Sequence, residues 1–300
     1  MKARDLVELA RPWQWSKNGL LFAGLIFSRN LVHPAFFMRS LAAFVIFCAA
    51  SSAIYMLNDL CDLERDRLHP TKRLRPLPAG RIGRGEVLAV IVILMALVLG
   101  VSWFLGPLFF ASVLAFLTVN ASYSFFFRSV VVLDAMLIAI SFVVRAVAGV
   151  MVLRPVQADI ELSPWLLVCT LFLALFLALG KRRHELGLLE AGAAGHRASL
   201  GQYSRAFLDQ MLSIVSAATL IGYAIYTIAP ATVSKFQSPW LVITIPFVAY
   251  GIFRYLYLIQ ERNEGGNPSQ ALFRDRALLL TIASWLLVVV LVLYHSGRGM

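Results

Sequence analysis

Charge is scarce in this chain of 300 residues: Asp, Glu, Lys and Arg make up 14% of it, against 60% for hydrophobic types. Soluble globular domains carry about 25% charged residues, so the composition argues against one. Cysteine is rare too. Cys48, Cys61 and Cys169 lie far apart, with neither metal-ligand spacing nor the pattern of a disulfide framework. The five histidines are scattered, which leaves a zinc or haem site without support. No polar stretch exceeds loop length, so no soluble extra domain separates out, and residues 1–300 read as one helical membrane domain.

What the chain has in abundance is apolar sequence of spanning length. Such runs lie near 19–34, 40–57, 86–105, 107–127, 131–153, 164–180, 207–229, 239–259 and 277–294. They predict an all-α polytopic membrane protein with about nine transmembrane helices. The first run is interrupted by Ser28, Arg29 and Asn30, and its basic prefix (Lys2, Arg4, Arg11, Lys17) imitates a signal peptide. No small-residue cleavage site follows it and many spans do, so it is expected to be a membrane helix.

Basic residues concentrate in the N-terminal arm and in the 58–85, 181–206 and 260–276 loops, while the alternate loops hold only Arg29 and Arg39, Arg154, and Lys235. By the positive-inside rule the basic loops are cytoplasmic, and nine spans put the C-terminus outside. The net charge of +11 then reflects topology and contact with anionic lipid, and nucleic-acid binding is not expected.

The most informative polar stretch follows the second run: Asn58-Asp59-Leu60-Cys61-Asp62-Leu63-Glu64-Arg65-Asp66. On a continuing helix Asp59, Asp62 and Asp66 fall at i, i+3 and i+7, so three carboxylates share a face, with the Asn58 amide beside it. Carboxylates this dense repel one another unless cations intervene. Hard oxygen ligands of this kind suit Mg²⁺, which prefers few carboxylates plus phosphate oxygens and water. A solvated, salt-bridged helix end is the plainer reading of such a run, but here it stands at the mouth of a membrane helix and basic residues follow. A second cluster, Gly180-Lys181-Arg182-Arg183-His184-Glu185, closes the sixth run, with Lys181 and Glu185 at i, i+4. Alone it is an ordinary positive flank; at the same membrane face as the acids, it would serve the same phosphate-rich ligand. Arg145 is the third position. It lies within the otherwise apolar Ile138–Val152, where an arginine is costly and faces a cavity or a partner such as a phosphate. Asp134, three turns away, does not reach it. Arg254 reads similarly but more weakly, because Tyr255 and Tyr257 suggest an interface belt.

The Asn58-Asp59-x-x-Asp62-x-x-x-Asp66 stretch resembles the first aspartate-rich motif of UbiA-type intramembrane prenyltransferases. Other features are similar to one branch, the decaprenyl-phosphate phosphoribosyltransferases. They are Arg11-Pro12-x-Gln14-Trp15-x-Lys17-Asn18, His69-Pro70-x-Lys72-x-x-Arg75-Pro76, Tyr123-Ser124, Phe142-Val143-Val144-Arg145-Ala146-x-Ala148-Gly149 and Gly180-Lys181-Arg182. Asp209-Gln210, Phe253-Arg254-Tyr255 and Arg274-Asp275-Arg276 extend the likeness over nearly the whole chain. The resemblance implies nine helices around a central cavity, a polar cytoplasmic mouth and metal-bound diphosphate there. Aromatic prenyltransferases of the superfamily carry a second Asp-x-x-x-Asp motif after the sixth helix. Here that position reads Lys181-Arg182-Arg183-His184-Glu185, so a lysine replaces the first acid.

The implied reaction joins phosphoribosyl pyrophosphate to a polyprenyl phosphate with Mg²⁺ as cofactor. Asp59, Asp62, Asp66 and Asn58 are expected at the metal and pyrophosphate, and Lys72, Arg75, Lys181 and Arg182 at phosphates. Lys17 and Arg145 are expected near the acceptor phosphate, Tyr123 among the substrate-binding residues, and Glu185 at the metal or orienting Lys181. One rival is prenyl transfer from a polyprenyl diphosphate to an aromatic or other small acceptor. Another is a lipid transporter, but its site tends to lie near the midplane on broken helices, whereas here the acids gather at one mouth.

Overall fold

The computed structural model describes residues 3–68, 71–190, 200–262 and 274–295. Helix is the regular structure among them, as an apolar chain in lipid requires, because a helix satisfies its own backbone N–H and C=O groups. The α-helices are α1 (Ala3–Ala10), α2 (Phe22–Phe27), α3 (Pro34–Cys61), α4 (Leu63–Leu68), α5 (Arg84–Leu105) and α6 (Pro107–Ser122). They continue as α7 (Leu133–Met151), α8 (Pro164–Glu190), α9 (Arg205–Ile228), α10 (Pro230–Phe236), α11 (Ile245–Gln260) and α12 (Arg276–His295). Among the described residues, 8 helical segments are long and apolar enough to cross a membrane: α3, α5, α6 with its π-helical tail Tyr123–Phe127, α7, α8, α9, α11 with the 3₁₀ turn Trp240–Thr244 before it, and α12. They are eight of the nine expected runs.

The remaining run is built differently. Instead of one helix over 19–34, the chain forms a 3₁₀ helix, Pro12–Leu21, then the short α2, and turns at Arg29, whose φ is 60°. This segment nevertheless descends antiparallel along α3. Arg11 meets Asp59, Trp15 Nε1 donates to Ser52 Oγ at 3.1 Å, Asn18 Nδ2 to Ser51 Oγ at 3.5 Å, and the Phe22 and Phe44 rings lie 5.6 Å apart. The lengths agree: Arg11 to Phe22 covers about 22 Å at the 3₁₀ rise, and Phe44 to Asp59 about 22 Å at the α rise. Stretching is what the short piece gains from the tighter helix. Two glycines permit the contact that anchors it. A Cβ on Gly149 would lie 2.2 Å from the Leu21 carbonyl oxygen, and one on Gly24 2.3 Å from that of Gly149, so backbone packs directly on backbone.

Local chemistry sets the boundaries. Proline opens α3, α6 and α10, where its fixed φ and missing N–H cost nothing. Glu86 accepts the Gly83 N–H at 2.9 Å before α5, and Ser204 Oγ accepts that of Phe207 at 3.1 Å to cap α9.

Packing divides the chain into two compact units, Met1–Phe127 with Val144–Glu161, and Arg128–Val143 with Leu162–Met300. In the first, Phe47 stacks near Phe109 and Phe116, with ring centroids 6.1 and 4.9 Å away. Arg39, expected in a sparsely charged loop, lies inside α3. Its Nε donates to the Val152 carbonyl at 2.7 Å and its Nη2 to that of Leu105, so one cation serves the carbonyl ends of α5 and α7. In the second unit, Phe176, Leu179, Leu208, Leu212, Tyr255 and Ile259 share a core. Arg254 is held by Asp275, Nη2 to Oδ2 at 2.7 Å, while Asp275 Oδ1 accepts the Leu278 N–H at 2.8 Å and caps α12. The Arg254 hydrogen bond keeps the Asp275 carboxyl below the usual carboxylate range.

Candidate active site

The acidic stretch sits where α3 stops. Asp62 leaves helical geometry at φ −95° and ψ 5°, yet its N–H still reaches the Asn58 carbonyl at 2.9 Å. The Asp66 N–H then reaches the Asp62 carbonyl at 2.8 Å. The expected continuous helix is therefore broken at one residue while its hydrogen-bond ladder carries on, and Asp59 and Asp66 stay close. Both are 3% exposed; Asn58 and Asp62 are half-buried.

Cations gather on these two carboxylates. Arg75 Nη1 donates to Asp59 Oδ1 at 3.1 Å and to Asp66 Oδ2 at 2.9 Å. Arg11 also donates to Asp59 Oδ1, and Lys72 Nζ lies 3.6 Å from Asp66 Oδ1. His69 and Pro70 of the sequence motif lie outside the described residues. Among the described residues no three or more of His, Cys, Asp and Glu are placed to hold a metal by themselves. Two buried carboxylates converging on one cationic nitrogen nonetheless form a donor set that a hard divalent ion fits, once phosphate and water complete its shell.

Arg145 proves to be an interior residue of the same unit, 5% exposed. Its Nε donates to Asn18 Oδ1 at 2.8 Å, and its guanidinium lies 4.5 Å from the Phe116 ring centroid, a cation–π contact. Asn18 was visible in the N-terminal motif, but nothing in the sequence tied it to a residue 127 positions away. Lys17, half-buried, precedes it on the 3₁₀ helix, and Tyr123 opens the π-helical turn at the end of α6. Such turns are frequent at functional sites.

In the second unit the basic cluster separates into different roles. Arg182, expected at a phosphate, is 0% exposed, and its guanidinium is bonded to two carboxylates. Its Nε donates to Asp134 Oδ2 at 2.7 Å and its Nη1 to Glu185 Oε2 at 3.0 Å. A charge this deep requires such partners. Tyr203 adds a second bond to Asp134, donating to Oδ1 at 2.8 Å, while its oxygen accepts the Val132 N–H at 2.6 Å. Burial pushes the Tyr203 hydroxyl up to about 12, so it remains a donor. That anchor steadies Val132, a β-branched residue at φ 68°. Arg183 donates to Asp209 at 2.7 Å and ties α8 to α9. Lys181 lies 3.7 Å from Glu185 and is partly exposed, so Glu185 stands between Arg182 and Lys181.

Helices of spanning length and carboxylates at the end of one of them match a known pattern, and the sequence pattern of the UbiA prenyltransferase family covers residues 20–279. The chain belongs to the UbiA prenyltransferase family. It is a membrane-embedded enzyme of that family. Among UbiA relatives, it is 32% identical over 302 residues to a protein named decaprenyl-phosphate phosphoribosyltransferase from Corynebacterium glutamicum, covering 97% of this chain and 87% of that one. A protein of the same name from Mycobacterium tuberculosis is 30% identical over 289 residues, covering 95% and 92%. The fold agrees with a solved UbiA homologue from Archaeoglobus fulgidus bound to DMAPP and Mg²⁺, with a TM-score of 0.69, 18% identity, and 99% and 100% of the two chains covered.

Proposed function

We propose that this UbiA-family enzyme transfers the phosphoribosyl group of phosphoribosyl pyrophosphate to a polyprenyl phosphate of decaprenyl type, releasing pyrophosphate. The observation that carries the reading is near-full-length likeness to relatives of that name, together with a lysine, Lys181, where aromatic prenyltransferases of the superfamily carry the first acid of their second Asp-x-x-x-Asp motif. Asp59, Asp62, Asp66 and Asn58 would hold Mg²⁺, which when bound neutralises the charge that builds on the departing pyrophosphate. Lys72 and Arg75, already beside these acids, would donate to its phosphate oxygens. The bond from the anomeric carbon to the pyrophosphate oxygen breaks, positive charge develops on the ribose, and an anionic oxygen of the lipid phosphate forms the new bond. No proton has to move, so positioning and charge stabilisation suffice. Lys17, Tyr123 and Arg145 are proposed to bind substrate, and Lys181, oriented by Glu185, an anionic group of it. Prenyl transfer from a polyprenyl diphosphate would use the same aspartates and is the alternative. Purified protein incubated with Mg²⁺ and each labelled donor tests the choice: lipid-linked ribose phosphate supports the proposal, and a prenylated aromatic acid overturns it.

Lys181→Ala is expected to lower kcat/KM for phosphoribosyl pyrophosphate by roughly ten- to a hundredfold, the loss of one charge-assisted phosphate contact of about 1.5–3 kcal/mol. Lys181→Asp should be worse, since it adds repulsion. Steady-state kinetics checks this; unchanged transfer by Lys181→Ala would leave the lysine as a positive-inside flank only.

The active-site mouth and the N-terminus are proposed to face the cytoplasm, in the inner membrane. A cysteine placed at position 72 should resist impermeant maleimide added to intact cells, while one at position 235 should react. The corresponding probe at 192 lies outside the described residues. Outside labelling at 72 overturns the orientation.

A further inference from the structure

Asp59 and Asp66 are buried and fixed by the ends of α3 and α4, whereas the cations on them arrive from outside. The side chains of Arg11, Arg75 and Lys72 are 19, 33 and 40% exposed, against 4% for each carboxylate. Arg75 follows the short 3₁₀ turn Lys72–Leu74 in extended backbone, at φ −65° and ψ 156°, which leaves its side chain to reach back over the acids. One nitrogen, Nη1, bonds both of them.

These positions have an electrostatic consequence. Arg11, Lys72 and Arg75 bring three positive charges to two carboxylates, so a divalent ion entering alone must displace a guanidinium and then stand beside it. Like charges at such separations repel strongly in a partly buried site. A pyrophosphate arriving with the ion removes the conflict, because its oxygens give the displaced Arg75 and Lys72 new acceptors.

We infer that Arg75 is a resident counterion of the aspartates, which excludes a lone divalent metal and admits metal and pyrophosphate together. The inference rests on the proposed placement of pyrophosphate at this motif. It goes further in making the order of binding a property of one arginine. By linkage the coupling is reciprocal: metal tightens pyrophosphate as much as pyrophosphate tightens metal.

The test is equilibrium dialysis of Mn²⁺ against the purified full-length protein in detergent micelles, with and without inorganic pyrophosphate. For the unaltered protein, pyrophosphate should raise Mn²⁺ affinity by about tenfold or more. Arg75→Gln, which keeps hydrogen-bonding groups but loses the charge, should bind Mn²⁺ alone about tenfold more tightly and respond less to pyrophosphate. Arg75→Lys keeps the charge and should bind Mn²⁺ alone no more tightly than the unaltered protein does. Equal Mn²⁺ affinity with and without pyrophosphate in the unaltered protein overturns the inference, even where Arg75→Gln fails to fold. An Arg75→Gln protein that folds yet binds Mn²⁺ alone no better also overturns it. Because pyrophosphate is the leaving group of either donor, coupling without ribosyl transfer would reject the proposed reaction and leave the inference standing. Ribosyl transfer without coupling would do the reverse.

Discussion

Asp66→Asn should reduce turnover by more than about a hundredfold while leaving a folded, membrane-inserted protein. Loss of groups that merely support metal ligands already costs about 10- to 100-fold, and this substitution removes the charge of a proposed ligand outright. The fold should tolerate the change. The amide oxygen of an asparagine can still accept from Arg75, which also keeps its bond to Asp59 at 3.1 Å. Asp62→Asn is expected to act in the same direction from the turn between α3 and α4. For the unaltered enzyme, EDTA should abolish transfer and added Mg²⁺ should restore it. The measurement is labelled-donor transfer at saturating substrate, beside a size-exclusion profile that reports folding. Full turnover by either purified variant would remove the aspartates from the metal's shell.

Breaking the Arg182 ion pair should instead be felt as stability. Asp134→Ala takes a carboxylate away from a guanidinium of 0% exposure and deletes the acceptor of the Tyr203 hydroxyl. Removing one partner of a buried pair typically costs about 3–5 kcal/mol. For a chain of this size that corresponds to a fall in Tm on the order of 10 °C. Arg182→Met should be similarly damaging, because the fully buried Asp134 carboxylate then loses its cation. The double replacement Asp134→Ala with Arg182→Met should cost less than the two single losses together, since neither member of the pair is then left as a buried charge without the other. Thermal unfolding of the three variants in one detergent checks the pattern. Additive losses would mean that the two side chains act independently.

Much of this was legible in the sequence, and what was not shares a physical cause. Spanning segments were readable because a bilayer demands a minimum apolar length, which a linear count detects. The aspartates were readable because their spacing is local. Their partner Arg11 is 48 positions away from Asp59, and Asp134 is 48 positions from Arg182, so neither pairing leaves a local mark. Arg182 was therefore grouped with Lys181 at phosphates, with no sign in the sequence that it is fully buried while Lys181 is partly exposed. Arg39 misled for a related reason: a cation near an apolar boundary reads as loop, whereas this one answers carbonyls from two other helices. The first apolar run was located, but among the described residues it is not one of the segments long enough to span, and its conformation was not read, because hydropathy carries no information about helix type.

That 3₁₀ conformation also fixes how the segment tolerates changes in length. With three residues per turn, Pro12, Trp15, Asn18 and Leu21 share one face. Trp15 and Asn18 bond α3 from it, and Leu21 meets Gly149. Deleting one residue after Pro12 turns every later side chain by about 120°, which carries Asn18 away from Arg145 and Leu21 away from its glycine. Deleting three restores the rotation but shortens the strut by about 6 Å. Insertions and deletions here therefore fail in two distinguishable ways, by misdirected side chains or by inadequate reach.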